Sequence, residues 1–339
     1  MDGRATRGPD AALVPYQNGM NRRDFLAAAA AFPPAARFAP EALAGGDPVA
    51  LVTADTESRV AVVELSSGRM LRSIGTLPGP RSVESVSGRI AVVAHTAHGA
   101  VSLVHGPSLT VRATLGGFGE PRYTAAHPDG RHAYVSDSER GEVIAVDVVA
   151  GRVLGRAAVG GPARHITIDP RGRIVWTSLG SKAEAVAILS VVDRARPRLL
   201  HRIAPPFRAH DVGFTPDRRH VWVSSGDRGT LAVYDARTGE ILRRLSADAP
   251  PQHVTFLGGH AYVTSGDDET LRVQSLRDGR VLRTTAVPVG SYNVQEAWGW
   301  IITPSLERGT LCVLDPRGRL RHRVQVARSS HDACFVMSA

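Results

Sequence analysis

The 339-residue sequence predicts an all-β fold made of repeated four-stranded units. Two observations support this prediction. Short segments rich in Val, Ile, Tyr and Trp are separated by Gly, Pro, Asp and Ser turns about every 8–12 residues, which is typical of antiparallel sheets. The same segment types recur with a period of about 42 residues, which is the length of one β-propeller blade.

One polar position marks the period most clearly. It stands at the beginning of each predicted first strand, and successive members are 39 to 46 residues apart. The members are Ser82, Tyr123, His165, Asp211, His253, Asn293 and Asp332. Seven members predict a seven-bladed β-propeller whose first strands line a central channel.

Each repeat then follows one order of elements. A Pro-Asp-Gly type turn, as at Pro128-Asp129-Gly130, joins the first strand to the second. A polar loop leads to a third strand, and a hairpin leads to the fourth. Gly151, Gly239 and Gly279 occupy the same place in three of these hairpins, where a tight turn needs a positive φ.

The two ends of the repeat region complement each other. Residues 50–75 match the second, third and fourth strands of a blade, whereas residues 330–336 match only a first strand. The C-terminal strand is therefore predicted to complete the first blade, which closes the ring and removes exposed sheet edges. Residues 45–339 are predicted to form this single propeller.

The N-terminal residues 1–44 have the pattern of an export signal. Arg22-Arg23-Asp24-Phe25-Leu26 resembles a twin-arginine (Tat) motif, and it precedes a short apolar stretch and the A-x-A site Ala42-Leu43-Ala44. We expect this extension to be removed, and Met20 is an alternative start. The prediction places the mature protein in the periplasm, outside the cell or on the cell wall.

Composition excludes several classes of protein. No apolar stretch reaches about 18 residues, so no membrane span is expected in the mature chain. Two cysteines cannot build a disulfide framework or a Cys-rich zinc site. Cys312 and Cys334 fall on strands of neighbouring blades and are predicted to be buried thiols, with a disulfide left open by the oxidising compartment. The formal net charge is +9, with Lys182 as the only lysine.

The candidate site is the set of polar pairs that open the first strands. In a propeller these pairs converge at one mouth of the channel. Its predicted ligand-binding residues are Arg81, Arg122, Tyr123, Arg164, His165, His210, Asp211, His253, Asn293, His331 and Asp332. The arginines suit a carboxylate or phosphate. The four histidines, His165, His210, His253 and His331, also suit a transition metal. The alternative is that these side chains only pin one blade to the next.

The repeat resembles the YVTN-repeat β-propellers, which include surface-layer and YncE-like proteins. Tyr262-Val263-Thr264-Ser265 and Ala133-Tyr134-Val135-Ser136 carry the resemblance, together with the Pro128-Asp129-Gly130 turn. It covers about residues 47–338. The family scaffold implies the fold and hosts many activities.

Three functions follow as hypotheses. The first is a monomeric, non-catalytic binding or scaffold module of the cell envelope, with an envelope protein or a small anionic ligand as its partner. The second is a propeller enzyme, either a His-ligated metal oxidoreductase or a lactonase. Gly161-Pro162-Ala163-Arg164-His165 looks distantly like a segment of the propeller lactonases, although Thr177-Ser178 stands where those proteins have Asn-Glu. The third is polyanion or nucleic-acid binding, which the positive charge suggests and export argues against.

Overall fold

The structure is a computed structural model that describes residues 47–180, 185–247 and 249–339. The predicted export signal in residues 1–44 lies outside these described residues.

The described residues form seven antiparallel sheets of four strands each. The first three strands are β1 (Pro48–Ala54), β2 (Arg59–Glu64) and β3 (Met70–Gly75). Blade 2 contains β4 (Ser82–Val86), β5 (Ile90–His95), β6 (Ala100–His105) and β7 (Thr110–Leu115). Blade 3 contains β8 (Pro121–Ala126), β9 (His132–Asp137), β10 (Glu142–Asp147) and β11 (Arg152–Ala158). Blade 4 contains β12 (Ala163–Ile168), β13 (Ile174–Leu179), β14 (Ala185–Ser190) and β15 (Arg198–Ile203).

The remaining strands continue the same order. Blade 5 contains β16 (Val212–Phe214), β17 (His220–Ser224), β18 (Thr230–Asp235) and β19 (Ile241–Ser246). Blade 6 contains β20 (Val254–Leu257), β21 (His260–Ser265), β22 (Thr270–Ser275) and β23 (Val281–Ala286). Blade 7 contains β24 (Gln295–Ala297), β25 (Trp300–Pro304), β26 (Thr310–Leu314) and β27 (Leu320–Gln325). The last strand is β28 (Ala333–Met337).

Ring closure occurs in blade 1, as the sequence predicts. Strand β28 pairs antiparallel with β1, from Pro48 opposite Met337 to Val52 opposite Ala333, and the sheet order is β28-β1-β2-β3. The two ends of the repeat region thus share one sheet, so the ring leaves no blade incomplete. The predicted seven-bladed propeller is confirmed.

The hydrophobic core lies between the blades. The described residues contain seven buried apolar clusters, and each cluster combines side chains of two neighbouring blades. Trp176 of blade 4 and Trp222 of blade 5 are among the largest fully buried side chains. The second and third strands are apolar on both faces because each face contacts a neighbouring blade, whereas outer strands such as β7 alternate between exposed and partly buried positions.

Local details agree with the sequence pattern. The hairpin glycines Gly151 and Gly239 have φ values of 66° and 72°, in the left-handed region that favours glycine. Cys312 and Cys334 are buried free thiols, as predicted. Helix in the described part of the chain is limited to one 3₁₀ turn at Thr96–His98. None of the described helices could span a membrane.

Candidate functional site

A cavity of about 180 Å³ lies along the channel axis, and all seven blades contribute to its wall. The seven polar residues that mark the repeat, one at the beginning of each first strand, are called the polar column below. Six of them line the cavity. They are Tyr123, His165, Asp211, His253, Asn293 and Asp332. Blade 2, the remaining blade, contributes Glu84 rather than Ser82.

Hydroxyl groups of the second strands hold the column in place. The backbone N–H groups of four column residues donate to them, with distances between 2.9 and 3.2 Å. The pairs are Tyr123 with Ser136, Asp211 with Ser224, His253 with Thr264, and Asp332 with Thr53. The Ser224 hydroxyl also donates to the Gln252 carbonyl of the next blade at 2.6 Å. The Ser or Thr hydroxyl at the end of the second strand therefore links two strands of one blade. At Ser224 it also links two neighbouring blades.

The two aspartates of the column act as clamps between blades. The Asp211 carboxylate accepts the Val254 N–H at 2.9 Å, and the Asp332 carboxylate accepts the Val83 N–H at 3.0 Å. In both cases the donor belongs to the first strand of the next blade. Burial raises the pKa of Asp211 to about 7 and the pKa of Asp332 well above its usual value. These contacts favour the structural interpretation for the two carboxyl groups.

Three imidazoles meet at the upper end of the cavity. The His165 ring lies 4.4 Å from the rings of both His210 and His253, stacked on the first and edge-on to the second. One nitrogen from each ring lies within 4.8 Å of the others. Tyr123 covers His165, with ring centroids 4.1 Å apart. These four side chains come from four consecutive blades, one from each of blades 3 to 6.

The imidazole cluster lacks hydrogen bonds that would hold its rings. His165 is 2% exposed, and neither of its nitrogens makes a hydrogen bond of normal geometry with a described residue. The buried Nδ1 of His210 is also unpaired within the described part. Burial, reinforced by the neighbouring imidazoles, lowers the pKa of His165 and His253 well below the usual value. Burial lowers the pKa of His210 to about 4, so all three rings are neutral near pH 7.

His331, the fourth predicted histidine, has different partners. Its Nδ1 lies 3.0 Å from the Arg81 carbonyl, and its Nε2 lies 3.5 Å from the Tyr123 hydroxyl. The Asn293 amide donates to the His331 carbonyl at 2.6 Å. The structure thus brings together three of the four predicted histidines and places His331 in a separate hydrogen-bond network.

Arginines surround the mouth above the imidazoles. Arg81 pairs with Asp55 at 2.9 Å and Arg122 pairs with Glu120 at 2.8 Å. Arg164 has no ion pair among the described residues, and its buried Nε makes no hydrogen bond there. Burial lowers the pKa of Arg164, and the positive charges of Arg122, Arg208 and Arg81 act in the same direction while Tyr123 opposes them. The mouth therefore carries an uncompensated positive charge.

Arg208 was not among the predicted residues. It precedes His210 by two positions and so lies outside the polar pair that opens each predicted first strand. Two residues that line the cavity were also missed: Glu84 and Gln295 lie two positions after Ser82 and Asn293. Because side chains of a strand alternate between faces, residues two apart face the same way, and this rule would have found both.

Glu84 places a carboxyl group in the cavity wall, two positions beyond Ser82 on the same strand. The Glu84 carboxylate accepts the Ser85 N–H and the Gln295 amide, each at 3.0 Å. Burial raises the pKa of Glu84 to about 7. The channel therefore combines a basic mouth, an imidazole cluster and carboxyl groups in the cavity wall.

Comparison with known proteins supports the fold and a family. Residues 163–333 match the PQQ_2 family model, described as outer membrane protein assembly factor BamB. A functionally unknown protein from Desulfotomaculum acetoxidans is 13% identical, with a TM-score of 0.73 over 86% of this chain and 99% of that chain. Hydrazine synthase from Kuenenia stuttgartiensis is 14% identical, with a TM-score of 0.64 over 76% of this chain and 89% of that chain. At these identities, the two structures show similarity of fold only.

Proposed function

The chain belongs to the PQQ_2 family, and on this premise we propose that it is an exported propeller of the cell envelope that binds a small anionic ligand at its channel mouth. The ligand class is a molecule with a carboxylate or phosphate group. Envelope location is supported by the family description and by the Tat-like motif in residues 1–44. The YVTN-like repeat is the finer family assignment that we propose.

Arg164 carries this proposal. Its guanidinium is partly buried, is not paired with an acid in the described structure, and lies among three other arginines. A buried cation without a partner is unfavourable, because desolvation is not offset by an opposite charge. A carboxylate or phosphate would supply that charge and could accept two parallel hydrogen bonds from the guanidinium fork.

The test is calorimetric titration of the metal-free protein at low salt with phosphate, sulfate, citrate and glycerol phosphate. Loss of one charged hydrogen-bond pair costs about 1.5–3 kcal/mol, so Arg164→Gln should weaken binding about tenfold or more. Arg112→Gln removes the same charge from an exposed position on outer strand β7 and is the matched control. It should change affinity less than twofold. Equal weakening by both variants, or no saturable binding to the unmodified protein below 1 mM, a threshold of about −4 kcal/mol, would refute the proposal.

The two alternative functions predict different results with the same protein. A lactonase would hydrolyse a sugar lactone, with release of one proton per turnover that a pH-stat records. A polyanion binder would retain heparin, and its affinity would fall steeply as salt rises because bound counterions are released. Neither result is expected for a mouth that selects a small ligand.

A further inference from the structure

We propose that His165, His210 and His253 form a binding site for one divalent transition-metal ion, Zn²⁺ or Cu²⁺, at the upper end of the channel cavity. The site does not require the anionic ligand of the proposed function. It is tested with metal alone, so either proposal can fail without the other.

The geometry of the cluster is close to that of a three-histidine site. One nitrogen from each ring lies within 4.8 Å of the others. A metal bound at about 2.0–2.1 Å from each nitrogen requires nitrogens about 3.3–3.5 Å apart. Small rotations of the rings would close this gap. At His165 a weak interaction with the His210 backbone is what the rotation must displace, since neither ring nitrogen makes a hydrogen bond of normal geometry with a described residue.

The unpaired state of His165 is a second and independent observation. Its ring is 2% exposed, and neither nitrogen makes a hydrogen bond of normal geometry with a described residue. Buried polar groups of native proteins are nearly always paired, so an exception needs an explanation such as a bound ion. A metal bound to one nitrogen would supply the missing partner.

Other buried histidines of the same chain show what a structural histidine looks like here. His95 is fully buried, and its nitrogens lie 3.2 Å from the Pro78 carbonyl and 3.0 Å from the Ser102 hydroxyl. Both nitrogens of His127 are likewise hydrogen-bonded to backbone groups. The absence of such partners distinguishes His165 from these two.

A second group of possible metal ligands differs from the His165 cluster because one of its members already has an ion pair and hydrogen bonds. His127, Asp129 and His132 also lie close together. The Asp129 carboxylate, however, is already held by the Arg194 guanidinium at 2.9 Å and by backbone N–H groups of its turn. This group therefore serves as an internal comparison for the test.

The chemistry of the ligands selects the metal. Three imidazoles without a thiolate suit Zn²⁺, Cu²⁺ or Ni²⁺ better than Mg²⁺ or Ca²⁺, which prefer oxygen. Asp211 lies beside the cluster, with its Oδ2 atom 3.6 Å from Nδ1 of His253. That separation is longer than a hydrogen bond, so Asp211 lies near the His253 ring without fixing its orientation.

The experiment uses the full-length protein after treatment with EDTA, in a chloride buffer without phosphate or carboxylate. Zn²⁺ or Cu²⁺ is titrated in competition with a chromophoric chelator, and elemental analysis gives the stoichiometry. We expect one ion per chain and a rise in melting temperature with metal concentration, since the ion binds only the folded state. Co²⁺ should give a visible spectrum of tetrahedral type with nitrogen ligands.

Variants assign the site. His165→Gln should weaken binding by more than about tenfold, and His210→Asn, which changes a less buried ring, provides the same test if His165→Gln does not fold. His132→Ala removes an imidazole from the comparison group and should leave metal affinity unchanged. The proposal is overturned if the unmodified protein binds no stoichiometric metal, or if His132→Ala weakens binding as much as His165→Gln and His210→Asn do.

Discussion

Replacing Glu84 with glutamine should change how the stability of the protein depends on pH. Burial raises the pKa of this carboxyl group from 4.5 to about 7 in the folded protein. Between these values the folded state binds more protons than the unfolded state, so the free energy of unfolding falls as pH rises. The free energy of unfolding begins to fall near pH 4.5, the pKa of the group in the unfolded chain. The decrease is complete above about pH 7, its pKa in the folded protein. Glutamine cannot titrate, and it retains the oxygen that accepts the Ser85 N–H.

The size of the effect follows from the same pKa difference. At 1.36 kcal/mol per pKa unit, Glu84 should reduce the free energy of unfolding by at most about 2.5 kcal/mol between pH 5 and pH 8. This is an upper value because Glu84 lines the cavity and is only partly buried. Relative to the unmodified protein, Glu84→Gln should therefore gain up to about 2.5 kcal/mol over this range. The Glu84 charge also raises the pKa of Asp332, and its removal acts in the same direction.

Urea unfolding at pH 5, 6, 7 and 8, followed by tryptophan fluorescence, would measure this difference. Glu240→Gln changes an exposed glutamate in a hairpin and should follow the unmodified protein at every pH. Parallel stability curves for Glu84→Gln and the unmodified protein would refute the reasoning. So would a Glu84→Gln variant that loses stability, relative to the unmodified protein, as pH rises.

Three further changes have expected outcomes. Asp332→Ala removes the acceptor of the Val83 N–H and should lower the free energy of unfolding by about 1–3 kcal/mol, which calorimetry would detect as a lower Tm. Gly155→Ala places a Cβ against the Ala195 carbonyl oxygen of the next blade and should cost about 1–3 kcal/mol. Gly75→Ala, where nothing lies within 4 Å, should leave the urea midpoint nearly unchanged. Both buried cysteines should react with a thiol reagent only after denaturation, and rapid reaction of the native protein would contradict their burial.

The propeller could be predicted because its signals are local and repeated. The blades repeat the same short strands and one polar residue about every 42 positions, and several share a hairpin glycine. The number of blades follows from counting this column, and ring closure follows from the complementary ends. The burial of Cys312 and Cys334 agrees with their predicted placement on strands of two neighbouring blades.

The candidate site was only partly accessible to this reasoning. The polar pairs of the first strands meet around one channel because they share a position in the repeat. Sequence spacing did not separate His331 from the other three histidines, because this depends on which way each ring turns. It also did not show that Asp211 and Asp332 bind backbone N–H groups of the next blade, since the donors are 43 and 249 residues away.

The sequence therefore specifies the strands, the turns, the number of blades and the ring of polar residues, because each depends on neighbouring residues and on a repeat that can be counted. The contacts across the channel depend on how seven blades pack around an axis. In the described structure, packing leaves the His165 ring without a hydrogen bond of normal geometry and Arg164 without an ion pair, and it raises the pKa of Glu84 to about 7. These properties arise from distances and burial between residues far apart in the chain, and they support the proposed sites for a metal and for an anion.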